Sequence, residues 1–378
     1  MIETYGIVVG IVLVSMGLFY LFEIPTILSS VIFGLMFGTL SLKLIDISSI
    51  PNFLIEFSLF GIFFYLGLIR PGGEFFKKYI LQYRSPIFLS TSLTIMVSLG
   101  VGLYLDISTY LTIVTIFVFG TTALSTNSVA LSYIRDGDIY KIFIAKSMIN
   151  NIVILTLFLL FLMLLFTPQV GTVVTLKMLG KILGFVAISL VISRYIYPRI
   201  FHKVQNPNIH LIGLLLNSIL QSYIADTIGV YFIFGAMLSS IFIPEIFLKS
   251  RILEPLKSRV AKFNSYTLYP IFGLVISLNI EIVAPIQVFE QFATILFATI
   301  AIGYLFTYIS LIFTPLNPEE RKLATLGTLA KDDISLVLIY LSFKYGVINQ
   351  DIYTLSLFSI ALLSLSVWYR FAKHQNGI

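Results

Sequence analysis

The chain has 378 residues, of which 58% are hydrophobic and 11% charged, and its formal net charge is +6. This composition excludes an ordinary soluble domain, because soluble domains carry about 25% charged residues. The sequence contains no cysteine, which excludes disulfides, thiolate metal sites and thiol catalysis. The three histidines lack metal-ligand spacing and no catalytic motif is present, so we expect neither an enzyme nor a resident metal or cofactor.

Apolar runs of about 20 residues alternate with short polar connectors along the chain, which is the pattern of helices that span a lipid bilayer. The alternating pattern of a membrane β-barrel is absent, so we predict an all-α polytopic membrane protein in residues 1–378. The first run lacks the features of a signal peptide and is expected to remain in the mature fold. The predicted transmembrane helices are thirteen, at residues 5–22, 26–42, 52–69, 86–105, 110–133, 140–166, 172–193, 208–225, 229–243, 263–279, 286–314, 322–343 and 352–369.

The 24 lysines and arginines are distributed unevenly between the two sets of connectors. On one side of the membrane lie only Lys43, Lys177, Lys181 and Lys344. Two further lysines fall within spans, and all the others lie on the opposite side. Because cytoplasmic loops are enriched in lysine and arginine, we predict an extracellular N-terminus and a cytoplasmic C-terminus in the plasma or inner membrane. The positive charge therefore marks membrane orientation, and nucleic acid is not an expected partner.

Polar residues interrupt the predicted fifth and twelfth spans near their middles. The fifth span is broken by two polar groups, Gly120-Thr121-Thr122 and Ser125-Thr126-Asn127-Ser128. The twelfth span is broken by Lys331, Asp332 and Asp333. The thirteen-span topology inserts these two spans in opposite directions, which is the pattern of a secondary transporter built from inverted repeats. We therefore predict two discontinuous helices that cross at mid-membrane and hold an ion there.

The sixth span also carries polar residues in an apolar run, namely Lys146, Asn150 and Asn151. Residues four positions apart share a helix face, so Lys146 and Asn150 project together. A lone charge at the centre of a bilayer costs about 2.5 to 3.5 kcal/mol on insertion scales. We therefore expect these side chains to face a partner or a watery cavity.

Five segments, taken in their order and spacing, resemble the monovalent cation:proton antiporter superfamily, in the branch that contains sodium/hydrogen exchangers and the membrane part of potassium efflux antiporters. The segments are IPTILSSVIFGLMFG, FLIEFSLFGIFFYLGL, ALSTNSVAL, IGVYFIFGAMLSSIFIP and ILEPLKSRVAKFNSYTLYPIFGLVISLNI. The resemblance covers nearly the whole chain. It implies antiport of a monovalent cation, Na+ or K+, against protons by alternating access.

The resemblance also implies a division of the fold into two parts. A core subdomain, including residues 86–166 and 286–373, is expected to move against a dimerisation subdomain made of the remaining spans, in a homodimer. The soluble regulatory domain of the potassium efflux relatives is not expected, because the chain ends about nine residues after the last predicted span.

The candidate site departs from the pattern of the superfamily. Its members carry the ion and the proton on an acidic residue of the sixth span, but the matching positions here are Asn150 and Asn151, which do not titrate. A lysine that many exchangers carry in the span matching residues 286–314 is also missing. We therefore predict that Lys146 pairs with Asp332 or Asp333 and that an incoming cation displaces this pairing. The candidate ion-binding residues are Lys146, Asn150, Asn151, Ser125, Thr126, Asn127, Lys331, Asp332 and Asp333.

Several alternatives remain open at this stage. The two amides and Lys146 would also suit an anion or an organic solute, and the chain could instead be a non-transporting regulatory membrane protein. On a purely structural interpretation, the asparagines bridge helices by hydrogen bonds, and Lys146 extends along the helix to the membrane surface. The charges of the twelfth span would then only neutralise helix ends.

Overall fold

Helix is the only regular secondary structure in the described part of the chain, which confirms the all-α prediction. The computed structural model describes residues 2–22, 24–37, 52–68, 81–122, 138–165, 172–202, 204, 206–243, 253–278, 280, 286–331 and 333–375. The helices of these ranges are, in chain order, α1 (Ile2–Phe22), α2 (Thr26–Phe37), α3 (Asn52–Leu68), α4 (Leu81–Tyr104), α5 (Thr109–Gly120), α6 (Asp138–Leu165), α7 (Thr172–Val191), α8 (Tyr197–Phe201), α9 (Pro207–Thr227), α10 (Ile233–Ile241), α11 (Leu253–Phe263), α12 (Tyr269–Leu278), α13 (Ile286–Ile312), α14 (Pro318–Gly327), α15 (Asp333–Lys344) and α16 (Gln350–Gln375).

Five helical stretches in the described ranges are long and apolar enough to cross a bilayer. They are Ile87–Tyr104, Gly180–Phe201, Asn208–Thr227, Gln287–Ile312 and Gln350–Phe371. Shorter apolar helices accompany them, including α2, α3 and α5. The chain is therefore a multi-pass membrane protein, while the number of thirteen spans and the inverted repeat stay predictions.

The predicted fifth and twelfth spans are both interrupted, as expected. Helix α5 ends at Gly120, and Thr121 is already extended with φ −67° and ψ 168°. Glycine and two consecutive β-branched residues are poor helix formers, which favours an end at this point. The remainder of that span, with Ser125, Thr126 and Asn127, lies outside the described residues. We call the end of α5, residues 120–122, the first break.

The predicted twelfth span consists of the two helices α14 and α15. The start of α14 is fixed by a capping box, in which the Asn317 side chain accepts from the Glu320 amide at 2.9 Å and the Glu320 carboxylate accepts from the Asn317 amide at 2.8 Å. Helix α14 ends at Gly327 and α15 begins at Asp333. We call the segment between them the second break. The twelfth span is therefore discontinuous, as predicted, and the described helix of the fifth span ends at its predicted break.

Two other predicted spans contain a π-helical segment. One, Ile192–Ile196, joins α7 to α8, so this helical stretch continues to Phe201 and exceeds the predicted end at residue 193. The other, Asn264–Leu268, joins α11 to α12, so the helix starts at Leu253, ten residues before the predicted span. A π segment inserts an extra residue into a helical turn and leaves no clear mark in the hydropathy pattern.

Backbone contacts divide the chain into two compact units. The first unit comprises Met1–Pro51, Phe75–Thr156 and Pro270–Ile378. Within it, α4 packs against α13, and α5 packs against α4, α13 and α15. Residues 86–156 and 286–373 of the predicted core subdomain fall in this unit, as do residues 1–51, whereas residues 157–166 of that subdomain fall in the second unit.

The second unit comprises Asn52–Glu74 and Leu157–Tyr269. Helix α10 packs against α3 and α9 at very short distances. A Cβ atom on Gly235 would lie 2.3 Å from the backbone of Gln221, and one on Gly67 would lie 2.5 Å from the Met237 carbonyl oxygen. Small residues allow such close approach between membrane helices. The assignment of the two units as moving core and dimerisation part stays a prediction.

Candidate functional site

The first break lies inside the first unit, where its backbone groups need partners. The last carbonyl groups of a helix have no partner within the helix, and the bilayer offers no water to replace one. Thr121 satisfies one of them locally, because its hydroxyl donates to the Val118 carbonyl oxygen at 2.8 Å. The carbonyls of Gly120, Thr121 and Thr122 accept from side chains of α6 and of the second break.

Asn151 holds the first break at two points. Its Oδ1 accepts from the Thr122 amide at 2.8 Å, and its Nδ2 donates to the Thr122 carbonyl oxygen at 2.8 Å. The side chain is 2% exposed. An aspartate could make the first of these bonds but, while ionised, not the second. The geometry therefore gives a physical reason for an amide at this position.

Asn150 joins three helices. Its Nδ2 donates to the Gly120 carbonyl oxygen at 2.5 Å and to Thr122 Oγ1 at 3.3 Å. Its Oδ1 accepts from Thr91 Oγ1 of α4 at 2.8 Å. Both asparagines thus bridge α6 to the broken end of α5, as the structural interpretation of these residues predicts. Direct contact between either amide and an ion stays a prediction.

Lys331 connects the second break to the first. Its ammonium donates to the Thr121 carbonyl oxygen and, at 2.7 Å, to the Thr328 carbonyl oxygen. Its backbone is held by Ser364 of α16, whose hydroxyl accepts from the Lys331 amide at 2.8 Å and donates to the Lys331 carbonyl oxygen. The Thr121 and Ser335 hydroxyls are 2.6 Å apart. The two breaks therefore meet, as two crossing discontinuous helices should.

Lys146 is buried, with 3% of its surface exposed. Its ammonium donates to Ser90 Oγ of α4 at 3.1 Å, and the Ser90 hydroxyl donates in turn to the Ile87 carbonyl oxygen at 2.8 Å. The side chain therefore points into the first unit and does not extend to its surface.

Asp333 is fully buried at the start of α15, where a negative charge interacts favourably with the helix dipole. Its Oδ1 accepts from the Ile334 amide at 3.0 Å. Asp332 lies outside the described residues. The described bond of Lys146 goes to Ser90, so its predicted pairing with Asp332 or Asp333 stays a prediction.

A pocket with a cavity volume of about 30 Å³ opens beside the two breaks within the first unit. Its lining includes two lysines and no carboxylate among the described residues. The polar lining residues are Ser90, Thr91, Thr94, Thr122, Lys146, Asn150, Thr299, Thr307, Thr328 and Lys331. The pocket therefore offers neutral oxygen atoms and two ammonium groups to a ligand.

The hydroxyl residues of α4 were not among the sequence-based candidates, although Ser90 and Thr91 contact Lys146 and Asn150. The signal that could have found them is the sequence STSLTIMVS, which places hydroxyls at positions 90, 91, 92, 94 and 98 in an apolar span. Hydroxyls also satisfy the backbone of their own helix, and Thr94 Oγ1 does so by donating to the Ser90 carbonyl oxygen at 2.8 Å. Only the fold distinguishes these two uses.

Comparisons with known proteins agree with this architecture. The family model described as "Sodium/hydrogen exchanger, transmembrane" matches residues 8–369. A protein described as "Probable Na(+)/H(+) antiporter 3" from Methanocaldococcus jannaschii is 21% identical over 389 residues, which covers 98% of this chain and 95% of the relative. The solved structure of the sodium proton antiporter MjNhaP1 from the same organism, at pH 8, superposes with a TM-score of 0.72 at 15% identity. That superposition covers 98% of this chain and 96% of the solved one.

The family match spans most of the chain, so the predicted resemblance is confirmed, and this family is one of transporters and not of enzymes. The structural likeness independently supports the same fold. The chain belongs to the sodium/hydrogen exchanger family.

Proposed function

We propose that the chain is a secondary active transporter that exchanges a monovalent cation, Na+ or K+, for protons, and that Lys146 carries the proton. The family and the named relatives support the class of transport. The observation that carries the proposal is the position of Lys146, buried beside the broken helix in a pocket with neutral oxygens and no carboxylate among its described lining residues.

The pocket can bind a monovalent cation through neutral oxygen atoms. Asn150 Oδ1 accepts one described hydrogen bond, from Thr91, and a carbonyl oxygen has two lone pairs. The hydroxyl oxygens of Thr91 and Thr122 lie on the same side of α6, because both bond to the Asn150 side chain. Amide and hydroxyl oxygens are hard ligands, which suit Na+ and K+.

Competition for the pocket couples the two ions. Two unit charges 4 Å apart repel each other by about 4 kcal/mol at an effective dielectric constant of 20. A cation that enters the pocket therefore displaces the proton of Lys146, and a proton that returns to Lys146 displaces the cation. The pocket carries the same charge in both states, so one cation exchanges for one proton.

The assembly and the topology belong to the same proposal. We place a homodimer in the cell membrane, with the N-terminus outside and the C-terminus in the cytoplasm. The uneven distribution of lysine and arginine supports the orientation. The dimer rests on the resemblance to the superfamily.

Purified protein in liposomes with an imposed pH gradient tests the proposal. We expect Na+, K+ or Li+ to dissipate the gradient in the wild type, and Lys146→Ala and Lys146→Gln to lose this flux. Lys181→Ala is the matched control, because Lys181 is exposed on α7, and it should transport normally. Cation-driven proton flux that is unchanged in both Lys146 variants would disprove the assigned role.

The same liposomes separate the remaining alternatives. A response to organic anions but not to the three cations would identify a carrier of anions or organic solutes. If no solute dissipates the gradient, although the protein is folded and correctly inserted, the chain is a non-transporting regulatory membrane protein.

A further inference from the structure

The two lysines of the pocket differ in how their charge is compensated. Lys331 donates to the carbonyl oxygens of Thr121 and Thr328, which lie at the C-terminal ends of α5 and α14. The C-terminal end of a helix carries a partial negative charge, so this ammonium has built-in compensation. Lys146 is equally buried, but its described hydrogen bond goes to the neutral hydroxyl of Ser90.

A protonated Lys146 therefore lacks a described partner of opposite charge. An ammonium has three N–H donors, and one of them is used in the described contacts. Buried charges in proteins are normally paired and hydrogen-bonded, because the loss of water is otherwise not compensated. The described lining residues of the pocket contain no carboxylate that could serve as this partner.

Thr299 supplies a second donor in the same pocket. This residue of α13 is 1% exposed and lines the pocket. Its hydroxyl has no hydrogen-bond partner in the described part of the chain, whereas the hydroxyls of Thr94 and Ser310 donate to carbonyl oxygens of their own helices. A buried hydroxyl of this kind usually has a partner, so an acceptor in the pocket would complete it.

We propose that the pocket binds a small monovalent anion of halide size, held by the Lys146 ammonium and the Thr299 hydroxyl. The anion pairs with protonated Lys146 in the resting protein and is not carried across the membrane with the proton. Donors without a neighbouring carboxylate suit an anion, since nothing in the described lining repels it. This site goes beyond cation and proton exchange, and it can be measured in the absence of a membrane or a gradient.

Binding of radiolabelled chloride to the purified full chain in detergent, in buffer free of Na+ and K+, tests the site. We expect saturable binding that bromide displaces. Lys146→Gln should raise the Kd at least tenfold, because it removes the charge. Thr299→Val keeps the shape but removes one neutral hydrogen bond, and it should raise the Kd about three- to tenfold. Lys181→Ala, at an exposed lysine of α7, should bind like the wild type.

Two outcomes overturn this inference: no saturable chloride binding by folded wild-type protein, or unchanged binding in both the Lys146→Gln and Thr299→Val variants. Crystals soaked in bromide give a second measurement, in which the anomalous peak should lie between Lys146 Nζ and Thr299 Oγ1. A peak only elsewhere would contradict the site. Chloride binding without cation flux would refute antiport and support the anion site. Cation flux without chloride binding would support antiport and refute the anion site.

Discussion

Substituting Asn150 and Asn151 in turn by aspartate tests whether the two amides hold the first break. Asn151→Asp removes the donor to the Thr122 carbonyl oxygen and places a carboxylate oxygen 2.8 Å from it. A buried acceptor that loses its partner costs about 1 to 3 kcal/mol, and more when a charge is involved. Residue 151 lies five positions after Lys146, on a different face of α6, so the ammonium does not offset the new charge.

Asn150→Asp provides the matched comparison at the neighbouring position. It also loses a donor, to the Gly120 carbonyl oxygen, but Thr91 can still donate to the new carboxylate. Lys146 lies four positions earlier on the same face, so an ion pair within α6 offsets part of the loss. We therefore expect Asn150→Asp to be less destabilised than Asn151→Asp.

Thermal unfolding in detergent, followed by size-exclusion chromatography after heating, measures this order. Asn151→Asp should unfold several degrees below the wild type, and Asn150→Asp should lie between the two. An Asn151→Asp protein as stable as the wild type would show that the contact to Thr122 does not stabilise the break. If Asn150→Asp unfolded at a lower temperature than Asn151→Asp, this would refute the argument that residue 150, and not residue 151, shares a face of α6 with Lys146.

Two further substitutions test contacts between helices, and each is compared with a control substitution of the same residue type elsewhere in the chain. Ser364→Ala removes the hydroxyl that holds the backbone of the second break, so it should cost about 0.5 to 1.5 kcal/mol in thermal unfolding, whereas the exposed Ser366→Ala should be neutral. Equal unfolding temperatures for these two variants would contradict the contact. Gly235→Ala places a Cβ atom 2.3 Å from the Gln221 backbone and should lower the free energy of unfolding by about 1 to 3 kcal/mol. Gly180→Ala, whose Cβ atom would have nothing within 4 Å, should leave the free energy of unfolding unchanged. A stable Gly235→Ala protein would show that α9 and α10 separate easily.

The sequence predicts the interrupted helices well because lipid makes the signal strong. Polar residues such as those at 120–122 and 331–333 cannot face hydrocarbon without a partner, so their presence in apolar runs indicates a break or a cavity. The limits of α3 and α13 follow from hydropathy in the same way, to within two residues of the predicted spans. The breaks and the helix limits are therefore set by residues that are adjacent in the sequence.

The partners inside the site are not predictable by the same means. Thr91 bonds to Asn150 across 59 positions of sequence, and Lys331 reaches Thr121 across 210. Such contacts depend on which helix faces lie together, and the apolar pattern of a buried span marks no single face. The bond of Lys146 to Ser90 illustrates the limit, because residues 90–98 contain five hydroxyls and nothing in the sequence indicates which one the lysine contacts.

A division of roles within α6 leads to the last prediction. Asn151 and Asn150 bind the broken backbone of α5, while the titratable charge lies one turn earlier, at Lys146. If Lys146 carries the proton as proposed, the pocket holds one transported positive charge in either state, as a proton on Lys146 or as a bound cation. The transport cycle then moves no net charge across the membrane, so the membrane potential should not affect it.

Liposomes in which a potassium gradient and valinomycin set the potential measure this directly, with Na+ as the transported cation. At a potential of 100 mV, the movement of one net charge per cycle is worth about 2.3 kcal/mol, which shifts the final Na+ ratio about 50-fold. Exchange through Lys146 should leave the final Na+ ratio equal to the proton ratio at every potential. A shift approaching 50-fold would show that a second charge crosses with each cycle, and Lys146 could not then be the only group that exchanges its proton for the cation.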